Sequence, residues 1–233
     1  MRMRKKKHGE ERLSACKDFL VSKPEASAFQ NNKSVFLEIG AGKGGFAVGM
    51  CEKHPDVSYF AMERVTDCVV LAAELAKRKN EKSSCCKNLK FIIDTADNLT
   101  KLFDNGSVDK IFLNFSDPWS KKGYAKRRLT HRRYLAVYFN LLKDGGTLTF
   151  KTDNVGLFDF SLEEIEAIGL ECEVVTRDLH ASEYASHNVV TEYEAAFSSQ
   201  GVKINMLKVR KPVGFEIEIP ENLSRDFVAE RYK

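Results

Sequence analysis

Val35-Phe36-Leu37-Glu38-Ile39-Gly40-Ala41-Gly42-Lys43-Gly44-Gly45 is the stretch that decides the fold. A short run with a single charged residue ends in glycine-rich chain. That pattern predicts a buried strand, Val35–Ile39, turning sharply into a helix over Lys43–His54 that stops before Pro55. Glycines at such a turn let the backbone approach a ligand closely. In an open α/β sheet, ligands lie outside the carboxyl ends of the strands.

Outward from this turn the same alternation recurs. Strands are predicted over Ser58–Met62, Leu89–Ile93, Lys110–Phe115, Gly146–Lys151 and Leu170–Thr176, with Val202–Val209 a candidate seventh. Helices are predicted over Asp67–Lys79, Asn98–Phe103, Thr130–Leu142 and Gly156–Ile168. Strands separated by helical stretches imply βαβ units. Near-continuous apolar strands imply a mostly parallel sheet with helices on both faces. We read one α/β domain over residues 1–211, with 1–12 a flexible basic arm. Residues 212–233 break the pattern and form a tail without an assigned role.

The 233 residues are 43% hydrophobic, enough for a core without disulfide or metal staples. No apolar run reaches membrane-spanning length. The basic residues at 1–8 are followed by no apolar segment of signal-peptide type, because Lys17 and Asp18 interrupt it. The six cysteines form no CxxC pair, which argues against a zinc site and for reduced thiols in the cytoplasm. Net charge is only +4, but it is segregated. Residues 118–143 carry Lys121, Lys122, Lys126, Arg127, Arg128, Arg132, Arg133 and Lys143 and no acid, whereas 161–194 is acid-rich. A basic face without interspersed acids implies an anionic partner.

The glycine loop has two readings. Gly40, Gly42 and Gly45 satisfy G-x-G-x-x-G, the dinucleotide pattern. Gly40, Gly42 and Gly44 satisfy E-x-G-x-G-x-G with Glu38, a methyltransferase pattern. Both place an acid at the end of the second strand for ribose hydroxyls. Glu63 is there, followed by Arg64. Glu38 favours S-adenosylmethionine, whose α-ammonium an acid before the glycines would suit. The third strand ends in Asp94-Thr95-Ala96-Asp97, beside the expected adenine; Asp97 or Asn98 serves equally as a helix N-cap.

The fourth strand runs into Asn114-Phe115-Ser116-Asp117-Pro118-Trp119. Preceding a proline, Asp117 is held extended. The basic run begins directly after it, which suits a phosphate backbone better than a small molecule. Each neutralised phosphate would steepen log K against log salt by about 0.7–0.9. The fifth strand ends in Lys151-Thr152-Asp153-Asn154, and Thr191-Glu192-Tyr193-Glu194 has the T-x-x-E spacing of a capping box.

Together these residues resemble the bacterial tRNA (guanine-N7-)-methyltransferase family. The likeness runs from Met1-Arg2-Met3-Arg4 through Glu38–Gly44, Leu113–Trp119, Lys121-Lys122, Lys126–Thr130 and Phe150–Asn154 to Thr191–Glu194 and Phe197. It implies a Rossmann-like class I methyltransferase fold, S-adenosylmethionine as cofactor, and tRNA as partner. Its target would be guanosine N7, at position 46 of the variable loop. It further implies that Glu38, Gly40, Gly42, Gly44, Glu63, Arg64, the 94–97 segment and Asp117 contact the cofactor, and that Asp117 is catalytic. Lys121, Asp153, Thr191 and Glu194 would bind the substrate guanosine, and Lys122, Lys126, Arg127 and Arg128 the RNA. Relatives often have proline where Ser120 stands, a more basic stretch at Gly123-Tyr124-Ala125, and an acid at Thr95, so Asp94 and Thr95 are alternatives for the adenosine contact. No metal or membrane role is implied. Monomer and homodimer both stay open. The competing readings are a methyltransferase for another RNA and a non-catalytic RNA-binding subunit, which would have no need of Glu38, Asp117 or the glycines.

Overall fold

The structure, a computed structural model, describes residues 5–25, 27 and 34–219. In chain order the helices and strands are α1 (Gly9–Ser14), β1 (Val35–Ile39), α2 (Gly45–Lys53), β2 (Ser58–Met62), α3 (Thr66–Ser83), β3 (Leu89–Ile92), α4 (Leu99–Leu102), β4 (Val108–Asn114), α5 (Arg132–Leu141), β5 (Leu142–Thr152), α6 (Val155–Ala167), β6 (Cys172–Thr176), α7 (Glu192–Ser198) and β7 (Asn205–Arg210). The seven strands lie in the order β3-β2-β1-β4-β5-β7-β6. The predicted α/β class, mostly parallel, is what the chain adopts. The described residues group into two compact units, the first from 1–95 and 186–202, the second from 96–185 and 203–233.

In the first unit β1, β2 and β3 pair in parallel, with Leu37 opposite Phe60 and Ala61 opposite Phe91. All five residues of β1 are buried, as a strand covered on both faces requires. Helix α2 packs closely on α3. A Cβ at Gly44 would stand 2.8 Å from the Ala72 Cβ, so the third glycine of the loop is there for packing. Residues 5–14 are not a free arm. Arg12 makes a two-pronged ion pair with Glu74 of α3 (2.7 and 2.8 Å), and the Lys6 amide donates to Asp67 at 2.6 Å. Arg2 and Arg4 lie outside the described residues.

In the second unit β4 and β5 are parallel, and β7 runs antiparallel between β5 and β6. Strand β5 starts four residues earlier than its pattern suggests. Lys143 pairs with Asp109 at 2.8 Å, and Lys211 Nζ donates to the Leu142 carbonyl at 2.9 Å, so the chain leaves the helix directly into the sheet. Part of the tail is now placed. Phe215 packs edge-on against Phe139, with ring centroids 6.1 Å apart, and Ile217 exchanges two backbone hydrogen bonds with the Asn140 side chain. Residues 220–233 lie outside the described residues.

No helix among the described residues is long and apolar enough to cross a membrane, and none of their His, Cys, Asp and Glu side chains cluster as metal ligands. The six cysteines are free thiols, and burial pushes Cys86 up to about 12.

Candidate active site

At the carboxyl edge of the first unit the glycine loop is pinned to β2. Gly40 and Ala41 amides donate to the Met62 carbonyl (2.8 and 3.0 Å). The loop turns through left-handed backbone at Gly40 (φ 85°) and Gly42 (φ 55°), where a side chain would be strained although nothing lies within 4 Å of the missing Cβ. That open face is where a ligand can lie against bare backbone. Glu63, buried at the end of β2, accepts from the Gly42 amide (3.0 Å) and the Val65 amide (2.9 Å). A carboxylate has about four acceptor positions, so two more remain for a ligand hydroxyl. Glu38, 2% exposed, stands in β1 with the Tyr59 hydroxyl donating to it at 3.5 Å. Burial first, and the Glu38 charge second, hold the Tyr59 hydroxyl well above its ordinary pKa. Arg64 is exposed beside Glu63. Asp94 bends back to accept from the Thr95 amide at 2.7 Å.

The late motif belongs to this unit as well. Thr191 and Glu194 form the expected capping box of α7. Glu194 is fully buried, and it also accepts from the Asn188 side chain at 2.5 Å. The segment lies along α2. A Cβ on Gly49 would come within 2.6 Å of Val189, Lys53 donates to the Asn188 carbonyl (3.1 Å), and Lys43 pairs with Glu192 (3.6 Å). Asn188 and Gly49 are positions that spacing alone did not single out.

The second unit carries the other candidates. Asn114 of β4 and Lys151 of β5 are register partners, so the loops bearing Asp117 and Asp153 leave neighbouring parallel strands at one edge. Asp117 is exposed, whereas Asp153 is half-buried. Asn154 is the N-cap of α6, accepting from the Leu157 amide at 2.8 Å. Asp117 sits between two bulky residues in left-handed backbone, Phe115 (φ 51°) and Trp119 (φ 43°). Such conformations cost about 1–3 kcal/mol each and persist only where surroundings impose them. Phe115 packs against Val174, Leu179, Ile204 and Met206. Arg128 holds the other end: its Nε donates to the Pro118 carbonyl (2.9 Å) and its Nη2 to the Trp119 carbonyl (3.2 Å). Its guanidinium also covers the Phe160 ring at 4.3 Å. Arg128, expected on RNA, is therefore engaged inside the protein. Asp97 differs from expectation in the same way. Its Oδ1 accepts from Arg133 (3.0 Å) and the Tyr134 hydroxyl (2.8 Å), an internal ion pair at the start of α5, and Ala96 beside it is buried.

Lys122–Arg127 form a short 3-10 helix. Lys121, Lys122, Lys126 and Arg127 enter no ion pair among the described residues. Four cations that pair with no acid among the described residues, directly after an exposed acid, are an electropositive surface suited to phosphates.

Comparison with known proteins gives the family. A family model described as "Putative methyltransferase" matches residues 32–207. A tRNA (guanine-N(7)-)-methyltransferase of Streptococcus agalactiae (strain NEM316) is 40% identical over 216 residues, 90% of this chain and 100% of that protein. One of Limosilactobacillus reuteri (strain DSM 20016) is 41% identical over 181 residues, covering 78% of this chain and 83% of that protein. Among solved structures, an antibiotic-related methyltransferase superposes with a TM-score of 0.59 at 16% identity, covering 80% of this chain and 92% of that one, a likeness of fold. With such identity over nearly its whole length, the chain belongs to the tRNA (guanine-N(7)-)-methyltransferase family.

Proposed function

We propose that this chain transfers the methyl group of S-adenosylmethionine to N7 of a guanosine in tRNA, at position 46 of the variable loop, and works in the cytoplasm. The observation that carries the reading is Asp117 in the loop after β4, followed by cations that pair with no acid among the described residues. The family supplies the reaction.

The residues of the first unit fit the cofactor. Gly40 and Gly42 leave an open backbone face, Glu63 keeps acceptor capacity for ribose hydroxyls, and Glu38 offers a carboxylate to an ammonium. Gly44 serves by packing the loop, Arg64 flanks the ribose acceptor, and Asp94 or Thr95 takes the adenosine. Ala96 and Asp97 support that turn from within. When bound, S-adenosylmethionine supplies a methyl group on a positively charged sulfur.

Guanine N7 has a lone pair and carries no proton, so no side chain has to act as a base. The chain's task is alignment, worth up to about 7–11 kcal/mol in ideal cases. The guanine ring gains positive charge as N7 is alkylated. Asp117, held by the strained loop, stabilises that charge and accepts from base N–H groups. Asp153 and Lys121 bind the guanosine and its phosphate, and the family pattern adds Thr191 and Glu194, whose capping box fixes the start of α7. In a duplex-like fold N7 faces a groove too narrow for side chains, so the base is exposed at a cost of a few kcal/mol. Phosphate contacts of Lys122, Lys126 and Arg127 offset that cost.

The test is methyl transfer from labelled S-adenosylmethionine to unmodified tRNA, beside a transcript with the variable-loop guanosine changed to adenosine. Label on the first only, convertible to N7-specific chain cleavage, is expected. Equal label on both moves the target, and label on neither overturns the tRNA substrate. Asp117→Asn is expected to cut single-turnover methylation by at least tenfold with cofactor affinity unchanged. Full activity in that variant would remove Asp117 from the reaction.

A further inference from the structure

Tyr124 and Arg127 are three residues apart on a 3-10 helix, the spacing at which side chains eclipse. The Arg127 guanidinium lies 4.5 Å from the Tyr124 ring centroid and 5.1 Å from that of Trp119. The two rings meet nearly edge-on, 5.9 Å apart at 81°. Tyr124 is 40% exposed, and neither its hydroxyl nor the guanidinium has a hydrogen-bond partner among the described residues. Trp119 is held in left-handed backbone by the Arg128 bonds to the Pro118 and Trp119 carbonyls, so the group is fixed from below. Lys121, Lys122 and Lys126, exposed on the same short stretch of chain, pair with no acid among the described residues.

A surface packing cluster would turn its ring faces inward and pair its cation with an acid. This one keeps a large ring at the surface and spans a region, 118–143, that contains no acid at all. We infer that Tyr124, Arg127 and Trp119 form a stacking subsite for one unpaired nucleobase of the RNA, adjacent to the target guanosine, with the neighbouring phosphate on the Arg127 edge and Lys126. Base–aromatic stacking tolerates any base, so the subsite selects an unstacked, flexible strand and no particular sequence. This deepens the tRNA reading above and rests on it. It also assigns a role to Tyr124 at a position where the family pattern had offered only charge.

Trp119 is the only tryptophan of the chain, so its fluorescence reports the subsite directly. The experiment titrates the full-length protein with unmodified tRNA and, separately, with a short single-stranded oligoribonucleotide, following Trp119 emission and the salt dependence of binding. Both ligands are expected to quench Trp119. Tyr124→Ala is expected to weaken both affinities by about 5- to 100-fold and leave the salt slope unchanged. Tyr124→Phe keeps the ring and should bind as the parent does, a control that the helix still folds. Arg127→Lys keeps the charge and the slope but loses the planar stack, so its affinity also falls. Parent-like affinity and quenching in Tyr124→Ala overturns the subsite, as does a loss in Tyr124→Ala that Tyr124→Phe shares. If the parent methylates no tRNA but the oligoribonucleotide still quenches Trp119 in a Tyr124-dependent way, the tRNA reading falls and the subsite stands.

Discussion

Arg128 makes three contacts that spacing could not announce: two carbonyls nine and ten residues earlier and the face of Phe160. In sequence it is one more cation in a basic run. In the structure it is the strut of the Asp117 loop, because a planar fork can satisfy two carbonyls at once. Arg128→Met keeps the stem against Phe160 and removes the donors. We expect kcat on tRNA to fall about tenfold or more, since small displacements near the chemistry cost up to about 100-fold. The slope of log K against log salt should stay as in the parent protein. Lys122→Met should do the reverse, flattening that slope by about 0.7–0.9 with little change in kcat. A flattened slope in Arg128→Met would return that residue to the RNA surface. Residues whose chemistry is local were more legible. Gly40 and Gly42 announce left-handed backbone because only glycine takes it freely, and Thr191 with Glu194 announces a cap because the two sit one turn apart. Asp97 was legible only as an acid near a helix start. Its partner Arg133 lies 36 residues on, and nothing in local pattern links them.

At the scale of the element, β1 and β2 have the limits their apolar runs predict, because five buried residues in one and four in the other leave little latitude. The boundary between α5 and β5 was not legible, since Leu141 and Leu142 are both buried and either element could own them. Helix α5 also carries a pH-sensitive start. His131 is its N-cap, accepting from the Arg133 amide at 3.2 Å through Nδ1. Burial first lowers its pKa, and the nearby Arg133, Arg132 and Lys126 charges add to this against the pull of Glu164. The folded state thus holds His131 neutral where the unfolded chain takes up a proton. Stability should fall as pH drops below about 6.5, the ordinary histidine value, and level off below the folded pKa. Glu164 behaves differently. Burial would raise its pKa, but hydrogen bonds from Arg132 outweigh that and lower it, so its contribution persists above the ordinary carboxylate range and is lost only as pH falls through the lower folded value. Urea midpoints followed from pH 7.5 down to about 2.5 should therefore show two legs. His131→Asn, which caps without titrating, should remove the upper leg alone. An unchanged upper leg would place the titration elsewhere.

For the whole molecule, the charge segregation seen in composition survives folding as Lys121, Lys122, Lys126 and Arg127, which pair with no acid among the described residues. The placing of the tail was not legible, because Phe215 and Ile217 alternate with Glu216 and Glu218 over too few residues to name an element, and their partners, Phe139 and Asn140, lie far back in the chain. A chain ending at Ile219 is the reference for this segment. Ending it at Lys211 removes an aromatic pair worth about 0.5–1.5 kcal/mol and two hydrogen bonds worth about 1 kcal/mol each. At about 2–4 °C per kcal/mol for a chain of this size, Tm should fall by roughly 5–14 °C, read by calorimetry on the two truncations. Equal Tm values would mean that residues 212–219 only rest on α5.

The position of β7 between β5 and β6 also sets an order of events during synthesis. Strand β6 ends at Thr176, but the neighbour that ties it to the sheet begins only at Asn205. Until that last strand leaves the ribosome tunnel, the nascent chain holds β5 with one edge open and β6 with no place to add. The segment 186–202 in the interval belongs to the other unit. Completion of the sheet thus waits for β7 to emerge, and a nascent chain stalled before Asn205 presents a bare strand edge to chaperones.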